Sequence, residues 1–408
     1  RDRDRQRTDK CVPSIMCKSL SRLKTLGRAL FGQGGRRLQH QILRGLAVLV
    51  LLCLKGCGEP TPTLSIATGG PAGLYYPFGG GMASLWSARL AGVNVKAEVT
   101  GGSVINVIQV ARQESDLGIA MADVVSAAYA GHGRFLQPLP LRVLFAAYPN
   151  VVHLLTLADS GVNDLQALRG KRVSIGAQGS GTAVAAENVL LGAGIDSADI
   201  AIRYLSFAET TSALKDGTID AGFVVGGLGI AAVTELAVTR AMRIIPIDGA
   251  ELAEIVKQFP AYAGYTIPAD TYTGVDQDVA TIGIWSVVVV HADMSAELAY
   301  RLTCQVYAGQ AELRQVSRVA DFVTVDNIRR LASVPLHPGS EWFVQAPTTD
   351  CNAIPNPAPI PTAESALQPV AISSTLGAPP KPPFGTPLSV SDRTALRIVD
   401  GSLLSAES

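Results

Sequence analysis

A glycine-rich turn between a short apolar run and a helix-like segment constrains this chain more than any other feature. Residues 64–81 read LSIATGGPAGLYYPFGGG: a β-type run is followed by three closely spaced glycines, two tyrosines, a proline and a helix-type pattern. Glycine lets the backbone approach a guest closely and adopt positive φ, and a helix start offers unpaired N–H groups to an anion. The stretch therefore predicts a cradle for a small molecule. Its candidate ligand contacts are Gly73, Leu74, Tyr75 and Tyr76.

Charge is distributed unevenly along the 408 residues. Residues 1–56 carry 13 Lys and Arg against 3 Asp, whereas the rest of the chain carries 21 Lys and Arg against 31 Asp and Glu. This acidic body argues against nucleic acid as a partner, because a nucleic-acid-binding protein presents a basic surface. With 48% apolar and 17% charged residues the body can form a large core, and the length suggests two or three domains.

The N-terminal segment, residues 1–57, has the pattern of a secretory signal peptide. Three arginines precede the apolar run Leu46–Leu54, which is shorter than the roughly 20 residues that a membrane-spanning helix needs. Cys57 follows Lys55 and Gly56, which is similar to the lipobox of bacterial lipoproteins, although Lys55 departs from the small or apolar residue usual there. Acylation of Cys57, which would give a lipid anchor to the membrane, and plain cleavage both stay open. Either predicts an exported protein, periplasmic or lipid-anchored to the cell envelope.

Cleavage directly before Cys57 would leave three cysteines, Cys57, Cys304 and Cys351. Cys304 lies in a helix-like run beside Leu302 and Val306, where a small buried apolar residue is the simplest interpretation. A bridge between Cys304 and Cys351 is the alternative in an oxidising compartment, and the sequence does not decide between them. The sequence has no CxxC pair, so no zinc framework is predicted.

Strand-like and helix-like runs alternate from residue 64 to about residue 332, which predicts an α/β fold. The helix-like runs lie at residues 80–91, 103–112, 182–191, 209–215, 227–238, 250–258, 295–313 and 325–332. Pro149 and Asn150 interrupt two apolar runs, RVLFAAY and VHLLTL, and mark a candidate domain boundary. Residues 346–408 are rich in proline and predict an extended, largely disordered tail.

Further strand ends carry residues that suit a ligand. Ser103 ends VTGGS and fits either a helix N-cap or a hydroxyl donor to a solute. Asp123 follows the strand LGIAM and would accept from a ligand amine or cap the next helix, the cap being favoured. QGSGT at residues 178–182 would present N–H and hydroxyl donors to a carboxylate, a helix-terminal contact worth about 0.3–2 kcal/mol. The candidate ligand contacts of these turns and of the strand end FVVGG are Gly102, Ser103, Asp123, Gly179, Ser180, Gly181, Thr182, Phe223 and Gly226.

Catalysis and cofactor binding are poorly supported by the sequence. Gly179 and Gly181 after a strand suggest the dinucleotide fingerprint, but Val184 replaces its third glycine and no acidic residue ends a second strand at the required distance. The sequence contains neither a P-loop nor a Gly-x-Ser-x-Gly elbow, and its five histidines show no metal-ligand spacing. No catalytic residue, metal or cofactor is therefore predicted, and the chain is not expected to be an enzyme.

Taken together, these motifs resemble the TAXI family, the extracytoplasmic solute-binding proteins of one class of TRAP transporter. The resemblance covers about residues 64–343. The blocks that carry it are LSIATGGPAGLYYPFGGG, KAEVTGGSVINVIQVARQESDLGIAMADV, LRGKRVSIGAQGSGTAVAAENVL, LKDGTIDAGFVVGG, YTIPADTY and VPLHPGSEWF. It implies a two-lobed fold like that of type II periplasmic binding proteins, in which each lobe is a mixed sheet flanked by helices and two strands cross between lobes. It places lobe I at residues 61–147 plus 282–345 and lobe II at residues 148–281.

The same resemblance implies a function. The protein would capture a small carboxylate-bearing solute, an amino acid such as glutamate or glutamine or an organic acid, and deliver it to the membrane permease subunits of a TRAP transporter. A ligand-binding sensor for a membrane signalling partner is one alternative, and an enzyme on the same scaffold is a weaker one. The motifs do not choose among the solutes.

Overall fold

Ten strands pair into one mixed sheet in the part of the chain that the computed structural model describes, residues 63–328 and 334–354. The strands are β1 (Thr63–Ala67), β2 (Asn94–Glu98), β3 (Leu117–Met121), β4 (Leu141–Leu157), β5 (Arg172–Ser174), β6 (Ala201–Arg203), β7 (Ala221–Gly226), β8 (Met242–Ile244), β9 (Tyr262–Ile267) and β10 (Val279–His291). Their order in the sheet is β2-β1-β3-β10-β4-β7-β5-β6, with β8 also paired to β4 and β9 to β10. Parallel pairs, such as β1 with β2, occur beside antiparallel pairs, such as β4 with β10.

Helices connect these strands. They are α1 (Tyr75–Arg89), α2 (Ser103–Ala111), α3 (Ala122–Ala130), α4 (Gly181–Gly192), α5 (Phe207–Lys215), α6 (Ala231–Thr239), α7 (Gly249–Gln258), α8 (Ala296–Ala308), α9 (Gln310–Val316), α10 (Val325–Ile328) and α11 (Pro338–Gln345). Serines set several helix starts. The Ser206 hydroxyl accepts from the N–H of Glu209, whose carboxylate accepts in return from the N–H of Ser206, a capping box that begins α5.

Two long antiparallel strands run through both halves of the sheet. β10 pairs with β3 through residues 286–290 and with β9 through residues 279–284. β4 pairs with β10 through residues 141–151 and with β7 through residues 151–156. Both strands therefore change neighbours at one level, where Asn150 faces Ile284. We call the part of the sheet that contains β1–β3 the first half-sheet and the part that contains β5–β9 the second half-sheet. The strands β4 and β10 run through both.

The predicted fold class, α/β with mixed half-sheets flanked by helices and joined by two crossings, is confirmed. One detail is different, because the sequence predicts separate strands on either side of Pro149 and the structure has a single strand there. Proline lacks the N–H of a normal ladder residue and is tolerated where the pairing is irregular. Here the register with β10 shifts between Trp285 and Val287, next to the pair of Trp285 with Pro149. The lobe boundaries themselves remain a prediction.

Large aromatic side chains fix the helices of the first half-sheet. Trp86 and Phe78 on α1 are fully buried, and the indole N–H of Trp86 donates to the Leu302 carbonyl of α8 at 2.9 Å. Leu85 of α1 also packs where α8 ends, because a Cβ on Gly309 would lie 2.6 Å from its methyl carbons. This packing holds α1 rigidly and therefore fixes the position of its N-terminus.

The alternation of runs predicts eight helices close to observed ones, but it does not predict α3, β9 or α11. In α3 the buried residues are small, mainly Ala and Val, so the helical period is weak in the sequence. The start of α11 is set by His337, whose Nδ1 accepts from the N–H of Gly339. The single helix expected at residues 295–313 is instead two helices, α8 and α9, which meet at Gly309.

Cys304 and Cys351 form a disulfide that ties α8 to the segment after α11. The alternative that the sequence left open is thus settled in favour of the bridge. The two cysteines belong to a small buried cluster with Tyr300 and Phe343.

No helix among the described residues combines the length and apolarity that crossing a bilayer requires. The predicted signal segment with Cys57, and the proline-rich tail beyond residue 354, lie outside the described residues.

His153 makes the stability of the second half-sheet depend on pH. It is fully buried on β4, and burial lowers its pKa to about 4. The Tyr272 hydroxyl accepts from the N–H of Gly229 and donates to Nε2 of His153, while Nδ1 donates to the Val224 carbonyl. The folded protein therefore holds the neutral imidazole, whereas the unfolded chain protonates near pH 6.5.

We expect the free energy of unfolding to fall by roughly 3 kcal/mol as the pH drops from 6.5 to about 4, because only the unfolded state gains this proton. Above pH 6.5 this contribution is fully present. Urea denaturation at pH 7, 6, 5 and 4 measures the slope, and His153→Gln, which has no titrating side chain at this position, should flatten it. Equal slopes in the two proteins would contradict the assignment.

Candidate functional site

A cavity of ≈ 320 Å³ lies at the level where β4 and β10 change neighbours. Its size is at the small end of the roughly 300–1,000 Å³ range of ligand pockets. The cavity is lined by Gly69, Gly70, Pro71, Ala72, Gly73, Leu74, Tyr75, Thr100, Gly101, Gly102, Ser103, Met121, Tyr148, Asn150, Ala177, Ser180, Gly181, Thr182, Ser206, Phe207, Ala208, Val225 and Gly226. These residues come from both half-sheets, and most follow the carboxyl end of a strand.

Four helices begin at this cavity. The first residues of α1, α2, α4 and α5 are all lining residues, namely Tyr75, Ser103, Gly181 and Phe207. Among the described residues, no partner is found for the backbone N–H of Ser103, Gly181 or Phe207. An N-terminal helix end carries a partial positive charge in addition to such unpaired N–H groups. The site therefore has the electrostatics of an anion-binding site, built from backbone and not from charged side chains.

Glycines allow two of these helix starts to touch. A Cβ on Gly181 would lie 2.5 Å from Oγ of Ser103, and a Cβ on Gly102 would lie 3.4 Å from Ser180. Gly102 also has φ of 110°, which L side chains rarely adopt. The glycine-rich composition that the sequence shows at both turns is thus required by the approach of α2 to α4.

Tyr75 links the start of α1 to the crossing strands. Its hydroxyl accepts from Nδ2 of Asn150 at 3.2 Å and from Oγ of Ser286 at 3.0 Å. Burial raises the pKa of Tyr75 to about 12, so the phenol stays neutral and keeps its proton. A guest that contacts Tyr75 is therefore linked through its hydroxyl to β4 and β10, where the two half-sheets join.

Tyr148 is a buried donor without a partner. Its side chain is fully buried and lines the cavity, and its hydroxyl has no hydrogen bond to the described residues. Burial raises its pKa well above the ordinary value, so it is a neutral O–H donor. A buried hydroxyl without a partner costs free energy.

The polar side chains that hold the strand ends were not singled out in the sequence. Asn106 on α2 donates to the carbonyls of Thr68 and Ile119, and its Oδ1 accepts from the Thr100 hydroxyl. These bonds satisfy the ends of β1 and β3 and position the turn before α2. The only signal of Asn106 in the sequence is a polar residue within a mostly apolar helix.

The structure changes the roles expected for two serines. Ser180 is the N-cap of α4: its hydroxyl accepts from the N–H of Ala183 and donates to the Ala177 carbonyl, so its proton is already used. Ser103 is the first residue of α2 and not its cap, which is Gly102. The Ser103 hydroxyl accepts from the N–H of Met121 and is also hydrogen-bonded to the Tyr75 hydroxyl.

Nine of the thirteen predicted ligand contacts line the cavity, and four do not. Tyr76 is 37% exposed on the outer side of α1, and Phe223 is fully buried two residues before the strand end that reaches the cavity. The carbonyl of Gly179 accepts from the N–H of Ile105, and the Asp123 carboxylate accepts from the Tyr262 hydroxyl at 2.8 Å. The nine that do are Gly73, Leu74, Tyr75, Gly102, Ser103, Ser180, Gly181, Thr182 and Gly226.

Several contacts join the two half-sheets around the cavity. Besides the bonds of Gly179 and Asp123, Arg134 forms an ion pair with Glu187 of α4. Burial raises the pKa of the Asp123 carboxyl, and the Tyr262 hydroxyl that donates to it opposes this rise. The protein is therefore held with its two halves in contact in this structure.

The ionisable side chains of the lining are those of Tyr75 and Tyr148. Within residues 63–328 and 334–354, no Asp, Glu, Lys, Arg or His lines the cavity, and no three His, Cys, Asp or Glu side chains form a group that could hold a metal ion. The arrangement can bind and orient a guest.

By its structure, the protein belongs to the class of mixed α/β proteins that have a cavity lined by helix N-termini between two half-sheets. The match to a family model then places the chain: residues 66–345 match the NMT1-like family, and the chain belongs to that family.

Several solved structures match this chain at low sequence identity. One is the periplasmic aliphatic sulphonate binding protein SsuA from Escherichia coli, 14% identical, with 68% of this chain and 84% of that chain covered and a TM-score of 0.38. A putative L-cystine ABC transporter from Listeria monocytogenes is 14% identical, with 64% and 98% covered and a TM-score of 0.41. PhnD1 from Prochlorococcus marinus in complex with methylphosphonate is 14% identical, with 63% and 84% covered and a TM-score of 0.40.

Proposed function

We propose that this protein is an exported solute-binding protein of the TAXI type, which holds a small carboxylate-bearing solute and delivers it to a TRAP-type permease. One observation carries the proposal: helix starts from both half-sheets, with unpaired N–H groups, converge on a single cavity. A carboxylate there would accept from several N–H groups at once and lie at the positive ends of the helices.

The mechanism would be closure of two lobes about the crossing strands. The proposed lobes are residues 61–147 plus 282–345 and residues 148–281, and both crossings would act as the hinge. The guest contacts α1 and α2 on one side and α4 and α5 on the other, so it stabilises the closed state more than the open one. A permease that recognises the closed form would then respond to the loaded protein.

Export is supported by the disulfide and by the predicted signal segment. Disulfides persist mainly in oxidising compartments such as the bacterial periplasm. Lipidation of Cys57 would anchor the protein to the membrane beside its permease. The enzyme alternative is not favoured, because no Asp, Glu, Lys, Arg or His side chain lines the cavity among the described residues.

A thermal-shift screen of the purified protein against amino acids, dicarboxylates and keto acids tests solute binding. A ligand at 100 times its dissociation constant should raise the stability by about 2.7 kcal/mol. A panel in which no carboxylate shifts the melting temperature would contradict the proposed function.

Tyr148→Phe is the sharpest test of the cavity as the binding site. We expect carboxylate affinity to fall by about tenfold to a hundredfold, because a hydrogen bond to a charged group is lost. The unfolding free energy of the empty protein should stay the same or rise, since the hydroxyl has no partner to lose. Calorimetric titration and urea denaturation measure the two quantities.

Tyr307→Phe is the matched control. Tyr307 also has a buried hydroxyl without a partner among the described residues, but it stacks on Phe343 at 4.8 Å and does not line the cavity. Its replacement should leave the affinity unchanged. Equal affinities in both variants would show that the guest does not reach Tyr148.

A further inference from the structure

The cavity carries partial positive charge and no negatively charged side chain among the described residues. Its unpartnered backbone donors are the first N–H groups of α2, α4 and α5, and the Tyr148 hydroxyl also has no partner among the described residues. The helix ends add partial positive charge. An anionic head group is thus stabilised here without a cationic side chain.

A positive group on the guest would have no charged partner in this cavity. No Asp or Glu lines it among the described residues. Asp123 lies outside the lining, where its carboxylate accepts from the Tyr262 hydroxyl, and the Glu209 carboxylate accepts from the N–H of Ser206. An ammonium would be removed from water, left without a counter-charge and placed at the positive ends of helices.

Most of the remaining lining surface is apolar. Pro71, Leu74, Met121, Phe207 and Val225 contribute hydrocarbon or thioether surface, and the rings of Tyr75 and Tyr148 add aromatic surface. Such walls favour a guest body that loses little hydration when it is buried. The Tyr148 hydroxyl is fully buried and has no hydrogen-bond partner among the described residues.

We propose that the guest is a monocarboxylate with an apolar body and no ammonium group, such as a branched aliphatic or aryl-aliphatic acid or its 2-oxo derivative. This inference rests on the proposed function and narrows the solute class that the sequence left open. The head group would accept from the helix starts and from Tyr148, and the body would pack on Phe207 and Met121. Of the solutes that the resemblance implies, organic acids fit this cavity, and zwitterionic amino acids do not.

The experiment compares compounds that differ in one group. The full-length protein is titrated calorimetrically with 4-methylpentanoate, 4-methyl-2-oxopentanoate and L-leucine, and in parallel with 3-phenylpropanoate and L-phenylalanine. 4-Methylpentanamide serves as the uncharged control, and L-glutamate and L-glutamine represent the amino acids. At least one acid should bind about a hundredfold more tightly than its 2-amino analogue and than the amide.

The outcomes separate the inference from the function on which it rests. L-Leucine, L-phenylalanine or L-glutamate binding as tightly as the acids would overturn the inference and leave the solute-binding function standing. An amide that binds as well as its acid would also overturn it, because the head-group charge would then be unimportant. Failure of every acid and every amino acid to bind would overturn both.

Discussion

We expect Thr182→Asp to weaken the binding of an organic anion by at least about a hundredfold. Thr182 is the second residue of α4, is buried and lines the cavity. A carboxylate at this position would occupy the N–H groups that the guest uses and would repel it, and two like charges about 4 Å apart cost roughly 4 kcal/mol near a protein surface. Calorimetric titration with the tightest-binding carboxylate measures the loss.

The fold should tolerate this change. A negative side chain in the first turn of a helix is stabilised by the macrodipole, so the melting temperature of the empty protein should change little. Thr182→Asn is the matched control, because asparagine has nearly the same shape as aspartate without the charge, and it should weaken binding less than about tenfold. Equal affinities of the Thr182→Asp and Thr182→Asn variants would mean that the guest carries no negative charge near α4.

The sequence indicates the backbone part of this site well. Glycines at positions 73, 102 and 181 are visible as turns between strand-like and helix-like runs, and each of them lines the cavity. The physical reason is local: a strand end followed by glycine and a helix start produces an exposed N-terminal helix end wherever the chain goes next. The α/β class followed from the same alternation of runs.

The side chains that shape the cavity depend on pairing between distant segments. Tyr148 and Asn150 lie in AAYPNV, which the sequence marks only as a domain boundary. They reach the cavity because β4 continues through Pro149 and pairs with β10, more than a hundred residues later. Phe207 lies at the start of α5 in the other half-sheet, 3.3 Å from where a Cβ on Gly73 would be. A local sequence pattern does not predict contacts between residues that are so far apart in the chain.

Ser180 shows a different limit of sequence analysis. Its position after a strand and before a helix fits both a donor to a guest and a helix cap, and residue type does not distinguish them. The structure gives the hydroxyl two internal partners, the Ala183 N–H and the Ala177 carbonyl. The Ser103 hydroxyl, which lies at the matching turn, accepts from the N–H of Met121 and bonds to the Tyr75 hydroxyl, which itself lines the cavity.

The second large effect is expected from the disulfide. Cys304 and Cys351 are separated by 47 residues, and closing a loop of that length stabilises a folded protein by about 4 kcal/mol in the chain-entropy model. The double substitution Cys304→Ala with Cys351→Ala should lower the unfolding free energy by that amount. Urea denaturation of the oxidised protein and of the variant measures it.

Reduction of the unsubstituted protein provides the control, since dithiothreitol should reproduce most of the loss and should not affect the double variant. Carboxylate affinity should stay the same in both cases, because neither cysteine lines the cavity and the bridge instead joins α8 to the segment after α11. A stability that is insensitive to reductant would show that the bridge does not restrain the unfolded chain. A loss of affinity along with stability would show that this end of the first half-sheet positions α1, whose Trp86 donates to Leu302 on α8 two residues before Cys304.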